Sequence, residues 1–173
     1  MLVDNTAVNI IHITAKDFNK QLAKNFIAKE FACKDGTQEL FIDTKLVEKL
    51  QEIRDYYDTP IKVISGYRTE NYNLNCGGAK NSKHLTGEAI DFMFLKRPEL
   101  LSDDDGKIFY TAQDIQNKFK INGIGIYNER MENNFLHIDN RDKKLVWVSN
   151  KKQMLYYNDI QDYLLGKIPV KVV

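Results

Sequence analysis

The sequence predicts an α+β fold, a small, largely antiparallel sheet flanked by helices, on three observations. An amphipathic helix runs directly into a buried strand over 43–65, a second strand alternates strictly over 89–94, and three more short strands crowd into 123–148. The 173 residues, 43% hydrophobic and 28% charged, suit one compact domain with a sizeable core. We take that domain as 1–149 and 150–173 as a C-terminal extension packing on it.

The elements follow in chain order. Thr14–Phe26 reads as helical, and Glu30–Cys33 and Glu39–Ile42 as two extended pieces around the turn Lys34-Asp35-Gly36. Asp43 is placed to cap a helix in which Leu46, Leu50, Ile53 and Tyr57 recur at spacings of four, three and four, until Thr59-Pro60 stops it. Ile61–Ser65 is rich in β-branched residues and bounded by Gly66, which reads as a short buried strand. Glu70–Ser82 is polar and carries Gly77-Gly78, so a short helix there runs into a loop that approaches something closely. In Ala89–Phe94 the large apolar Ile90, Phe92 and Phe94 alternate with Ala89, Asp91 and Met93, which puts Asp91 on the opposite face from the three. Ser102–Lys107 reads as an acidic surface loop and Thr111–Phe119 as a helix. Gly123–Tyr127, Phe135–Asp139 and Leu145–Val148 are the three late strands. Beyond them, Met154–Tyr157 and Ile160–Leu165 are apolar enough to pack, and Pro169 with Val170, Val172 and Val173 reads as an extended tail.

Charge narrows the function. Twenty-five basic against 24 acidic side chains leave a net charge of +1, so no global field draws the chain to nucleic acid or to an anionic membrane. No apolar run approaches the roughly 18 residues of a membrane span, and Met1–Lys16 lacks a basic start followed by an apolar signal core. The expectation is a chain made in the cytoplasm without a signal peptide, with no nucleic-acid partner and no membrane insertion; nothing in it bears on oligomeric state. Cys33 and Cys76 form no Cys-x-x-Cys pair and are expected to be free, buried thiols. Gly77-Gly78 is no phosphate loop, because no Gly-Lys-Ser/Thr follows.

Two of the three histidines sit in informative surroundings: Ser82-Lys-His84-Leu-Thr-Gly87-Glu-Ala-Ile-Asp91 and Phe135-Leu-His137-Ile-Asp139. A loop ending in Gly87 can fold His84 back beside the strand carrying Asp91, and His137 lies on another strand. Two imidazoles and one carboxylate suit zinc at a catalytic site, since three protein ligands leave a fourth position open. Against this stands the plainer reading that a strand histidine is a satisfied core residue and that a His/Asp pair is only a hydrogen bond.

Ser65-Gly66-Tyr67-Arg68, Asn73, Gly77-Gly78-Ala79, Ser82-x-His84-x-x-Gly87-x-Ala89-x-Asp91, Gly123-x-Gly125-x-Tyr127 and Phe135-x-His137-x-Asp139 together tip the balance. In this order and spacing, from about Glu30 to Trp147, the sequence resembles the zinc D-Ala-D-Ala carboxypeptidases. That family includes phage L-alanyl-D-glutamate endopeptidases and murein endopeptidases and shares a metal site with the Hedgehog signalling domain. Lys29-Glu-Phe-Ala-Cys-Lys-Asp-Gly36 also resembles a segment of many phage-encoded members. The resemblance implies a Hedgehog/DD-peptidase-like fold and one Zn²⁺ held by His84, Asp91 and His137. It also implies Arg68 at a substrate carboxylate or oxyanion, and Ser82 at bound peptide. Tyr67 and Tyr127 are expected near the cleft. Asp139, two residues past His137 on one strand face, ranks first as an acceptor orienting an imidazole, next as an ion-pair partner of Arg68 or Arg141, and last as a proton acceptor.

The sequence departs from the family at the general base. Many relatives carry an acidic residue three positions before the last ligand or a histidine two before it; here Asn134 and Phe135 stand there. Glu129, Glu132 and Asp139 are the nearby alternatives. The expected activity is hydrolysis of peptidoglycan peptide bonds, in the stem or the cross-link, by a carboxypeptidase or endopeptidase of phage or prophage type. Release at lysis, or carriage in a virion, then brings it to the cell wall. A non-catalytic zinc-containing module that binds wall or protein, and a cytoplasmic D,D-dipeptidase, are the alternatives.

Overall fold

A computed structural model describes residues 9–102, 106–128, 134–149, 154–158, 160–167 and 169. Expectations for Glu129, Glu132, Val170, Val172, Val173 and the middle of the acidic loop lie outside these residues. Backbone contacts group the chain into two compact units, one running to Gln51 and resuming over Ser65–Ala89, the other over Glu52–Ile64 and from Ile90 onward.

In the first unit, β1 (Ile10–Thr14) pairs antiparallel with β4 (Glu39–Asp43), and β2 (Gln21–Ala23) pairs antiparallel with β3 (Phe26–Ile27). The helix expected over Thr14–Phe26 is therefore not formed. Ala15–Asp17 makes one 3-10 turn, and the rest is a hairpin closed at Lys24-Asn25. The spacing of Phe18, Leu22 and Phe26 mimics a helix, but a distant partner decides. The Asn25 N–H donates to Gln51 Oε1 at 2.9 Å, and Gln51 Nε2 donates back to Asn25 Oδ1 at 3.0 Å. Likewise Ala28–Phe31 is a 3-10 turn rather than extended, with the Ile27 N–H donating to the Glu30 carboxylate at 2.9 Å.

Helix α1 (Thr44–Tyr56) forms where the four-three-four spacing places it, and Leu46, Val47, Leu50 and Ile53 are buried. Asp43 caps it by accepting the Lys45 N–H at 3.1 Å. Helix α2 (Glu70–Asn75) is capped by Thr69, whose hydroxyl accepts the Tyr72 N–H. The close approach expected of Gly77-Gly78 is to Asn73. A Cβ on Gly78 would stand 2.1 Å from Asn73 Oδ1, and Asn73 Nδ2 donates to the Ala79 carbonyl. Both cysteines are free thiols; Cys33 is buried, while Cys76, at the end of α2, is exposed rather than buried as expected.

The second unit holds a six-stranded sheet. Its strands are β5 (Ile61–Ser65), β6 (Ala89–Phe94), β7 (Gly123–Tyr127), β8 (Phe135–Asp139), β9 (Leu145–Ser149) and β10 (Met154–Tyr157), in the spatial order β10-β9-β7-β8-β6-β5. β7–β8 and β9–β10 are antiparallel, while β7–β9 is parallel. The α+β class and mostly antiparallel pairing agree with the sequence. Helix α3 (Lys107–Lys118) starts four residues earlier than expected and lies against β7, and α4 (Ile160–Leu164) lies against α3 and β10. The Tyr57 hydroxyl donates to Asp114 Oδ2 at 2.9 Å, fixing the segment after α1 to α3.

Strand alternation gives β7, β8 and β9 two unlike faces. Ile124, Ile126, Leu136, Ile138, Val146 and Val148 are all buried on one. The other carries, in register across β8, β7 and β9, the rows Phe135–Tyr127–Ser149, His137–Gly125–Trp147 and Asp139–Gly123–Leu145.

Candidate metal centre

His84 lies on a 3-10 turn, Lys83–Thr86, shaped at both ends by its sequence. Ser82 Oγ accepts the His84 N–H at 3.4 Å, and Gly87 closes the turn at φ +75°. A side chain at Gly87 would also meet the Phe41 carbonyl oxygen at 2.2 Å, which is why glycine is needed there. The buried imidazole donates from Nδ1 to the Gly66 carbonyl at 2.6 Å. A carbonyl only accepts, so the hydrogen sits on Nδ1 and the Nε2 lone pair is the one a cation can use. Gly66 itself fits because a Cβ there would stand 2.5 Å from the Phe31 carbonyl oxygen.

The Arg68 N–H donates to the His84 carbonyl at 3.0 Å, and its Nε donates to Ser65 Oγ at 2.8 Å. Arg68 is thus tied to the His84 turn through its backbone. Tyr67 is half-buried, packs edge-on to Phe41 with ring centres 5.5 Å apart, and its hydroxyl is pushed above its usual pKa by burial, with Glu39 contributing.

On the sheet, His137 stands between two carboxylates. Its Nδ1 donates to Asp91 Oδ1 at 2.8 Å and its Nε2 to Asp139 Oδ2 at 3.2 Å. Burial alone would lower its pKa, but the hydrogen bonds to Asp139 and Asp91 prevail and push it up to about 9. Burial likewise opposes the charge on Asp139, yet Arg141 and His137 together hold that carboxyl well below the usual carboxylate range. The ion-pair partner of Asp139 is Arg141, whose Nε donates at 2.8 Å.

The Gly123-x-Gly125 motif acquires a physical reason here. A Cβ on Gly123 would fall 1.9 Å from Asp139 Oδ1, and one on Gly125 would fall 2.5 Å from Trp147 Nε1. The glycines leave room for a carboxylate and an indole, so Trp147 crosses Gly125 to reach His137, with ring centres 4.8 Å apart. Tyr127 stacks on Phe135 at 4.4 Å and accepts the Trp147 indole N–H at 3.1 Å. Of the two ion-pair partners that the sequence offers for Asp139, the structure selects Arg141; the part played by Trp147 and the space that the two glycines leave are not read from the sequence. Alternating glycines on a strand opposite a histidine motif were the available signal.

Asn134 is buried and its Nδ2 donates to the Leu101 carbonyl at 2.8 Å; neither it nor Phe135 can take up a proton.

Among the described residues, His84, Asp91 and His137 each offer one ligand atom, and these atoms all lie within 4.8 Å of one another. A buried His/Asp/His set in which each imidazole gives its remaining N–H to an oxygen acceptor is a candidate centre for a divalent metal. The family model described as Peptidase M15 matches residues 23–139, more than half of the chain, and the chain belongs to the Peptidase M15 family. It is also similar to the probable peptidoglycan L,D-endopeptidase MepK of Haemophilus influenzae, at 31% identity over 106 residues covering 57% of this chain and 50% of that protein. The chain thus spans about half the length of the curated relative it matches.

Proposed function

We propose that the chain is a zinc-dependent peptidase acting on peptide bonds of bacterial peptidoglycan, in the stem or the cross-link, on a fold of the Hedgehog/DD-peptidase type. The observation that carries the metal part is the grouping of His84, Asp91 and His137. The peptidase part is supported by the family, and the substrate by the name of the relative. The donor set fits zinc: His84 would bind through Nε2, Asp91 through a carboxylate oxygen and His137 through Nδ1. The chemistry that a divalent ion would supply there is Lewis-acid polarisation of a peptide carbonyl and a lowered pKa for water.

The chain's own residues supply the surroundings. The Gly66 carbonyl and the Asp139 carboxylate keep the two imidazoles in the tautomers required. Arg68 offers a planar cationic fork to a substrate carboxylate or oxyanion. Ser82, two residues before His84 and capping its turn, and Tyr67, beside Arg68, are the residues assigned to bound peptide. Asp139 orients His137 rather than receiving a proton, because Arg141 keeps it ionised and occupied.

The test is digestion of purified sacculi by zinc-loaded protein, with new peptide termini read by mass spectrometry, loss on chelation and recovery on adding zinc. Absence of new termini would end the hydrolase reading. A second reading, a zinc-containing module that binds wall without cleaving it, has one observation in its favour: Asn134 and Phe135 stand where many relatives carry a base. Sacculus binding without cleavage would select it.

A further inference from the structure

We propose that Arg141 is a positioning residue which, with Trp147, locks the hydrogen bond between Asp139 and His137 and so aims His137 Nδ1 at the metal. The inference rests on the metal reading above, and four contacts carry it by closing a ring. His137 Nε2 lies 3.2 Å from Asp139 Oδ2; Arg141 Nε donates to Asp139 Oδ1 at 2.8 Å, with Nη2 on Oδ2. The Arg141 guanidinium lies over the Trp147 ring at 4.8 Å, and Trp147 lies 4.8 Å from the His137 ring.

Asp139, Arg141 and Trp147 are held by further contacts as well. The Asp139 side chain is fully buried, and the Arg141 backbone N–H also donates to it at 3.2 Å. Asn122 Nδ2 donates to the Arg141 and Asp142 carbonyls at 2.8 and 3.3 Å, fixing the turn that presents the guanidinium. Trp147 is anchored by its indole N–H on the Tyr127 hydroxyl. Gly123 and Gly125 leave the two spaces into which the Asp139 carboxylate and the indole fit.

The chemistry follows from the fork. An imidazole on a strand can still rotate about its χ angles, and a lone carboxylate can rotate with it. Two guanidinium nitrogens on two carboxylate oxygens fix the carboxylate plane, and the plane fixes the direction of the Nε2 hydrogen bond. The Trp147 face then limits ring tilt. A lysine at 141 would keep the charge but lose the fork. Partners of this kind, one contact removed from a metal, typically govern affinity by about 10–100-fold.

The experiment compares wild type, Arg141→Ala, Arg141→Lys and Trp147→Phe. Zinc affinity is read by competition with a chromogenic chelator, the His137 Nε2–H resonance by NMR in the metal-free protein, and peptide cleavage as kcat and KM separately. The expected result is a loss of zinc affinity of about 10–100-fold in R141A, a smaller loss in R141K and W147F, and an unchanged KM. The Nε2–H signal should be protected from exchange in wild type and lost in R141A, and guanidinium ion should restore R141A affinity where sodium chloride of equal strength does not. If R141A fails to fold, R141K carries the same test. Wild-type zinc affinity with an intact Nε2–H signal in R141K would overturn the proposal, as would a raised KM at unchanged zinc affinity, which would put Arg141 on substrate instead. Should wild type take up no zinc, the metal reading fails, and the metal-free NMR signal still decides whether Arg141 holds His137.

Discussion

His84 and His137 are oriented by different means. His84 sits on a 3-10 turn and gives its Nδ1 hydrogen to a main-chain carbonyl, so its geometry depends on backbone shape and on glycines that allow it. His137 sits mid-strand and gives both hydrogens to carboxylates, so its geometry depends on charge and on a partner guanidinium. The contrast teaches that the two imidazoles should fail differently. His84 should be sensitive to steric change in neighbouring backbone, and His137 to pH and to loss of charge.

The largest effect, common to both, is ligand removal. Replacing His84, Asp91 or His137 by Ala should lower zinc affinity by more than about 100-fold, beyond the range for an outer partner, and abolish cleavage; chelator competition measures the first. Retained tight binding in any one of the three would remove that residue from the set.

Next come the glycines, which separate the two regions. Gly123→Ala would force the fully buried Asp139 carboxylate off its seat and away from the partly exposed Arg141, at about 3 kcal/mol in urea titrations of the metal-free protein. Gly87→Ala should instead disturb the His84 turn through the Phe41 carbonyl and the positive φ, costing more than about 1 kcal/mol while leaving the His137 Nε2–H resonance in place. If both variants perturb that resonance equally, the two orienting devices are not independent.

The pH dependence belongs to His137. Its folded pKa, pushed up to about 9, exceeds the ordinary value of 6.5, so the metal-free fold gains stability that is complete below about pH 6.5 and is lost as pH rises through 9. By linkage the gain is about 3 kcal/mol at most, and denaturant midpoints at pH 6 and 9 after chelation should show it. Zinc-loaded protein should respond in the opposite sense, because the Nδ1 hydrogen must leave for the ion and binding tightens as pH rises. A metal-free protein equally stable at both values would remove the charged pairing of His137.

The smallest effect is Ser82→Ala. Losing this cap should cost about 0.5–1 kcal/mol in thermal or urea unfolding. A rise in KM with little loss of stability would give Ser82 a place on substrate instead of a purely local one.

The sequence shows the sheet more readily than the N-terminal region for a physical reason. Strands β6 to β9 alternate large apolar residues with the residues of the site, so Asp91, His137 and Asp139 could be placed on one face by counting, although both faces are buried. The segment around Phe18, Leu22 and Phe26 has helical spacing, but Gln51, 26 residues from Asn25, determines its shape, and nothing local reveals that contact. In the site, residue types identified the ligand candidates. Arg141 was legible as one of two ion-pair candidates for Asp139, but Trp147 stayed hidden because its placement depends on what Gly125 lacks, and an absent side chain has meaning only once strand register is known.

Strand β10 covers one side of β9, the strand that presents Trp147. Anyone trimming this gene for crystallisation or fusing a reporter near residue 150 would leave that side with bare amide and carbonyl groups, an invitation to intermolecular pairing and precipitation. Expression boundaries are better drawn beyond Leu164, even when only the residues around His137 are of interest.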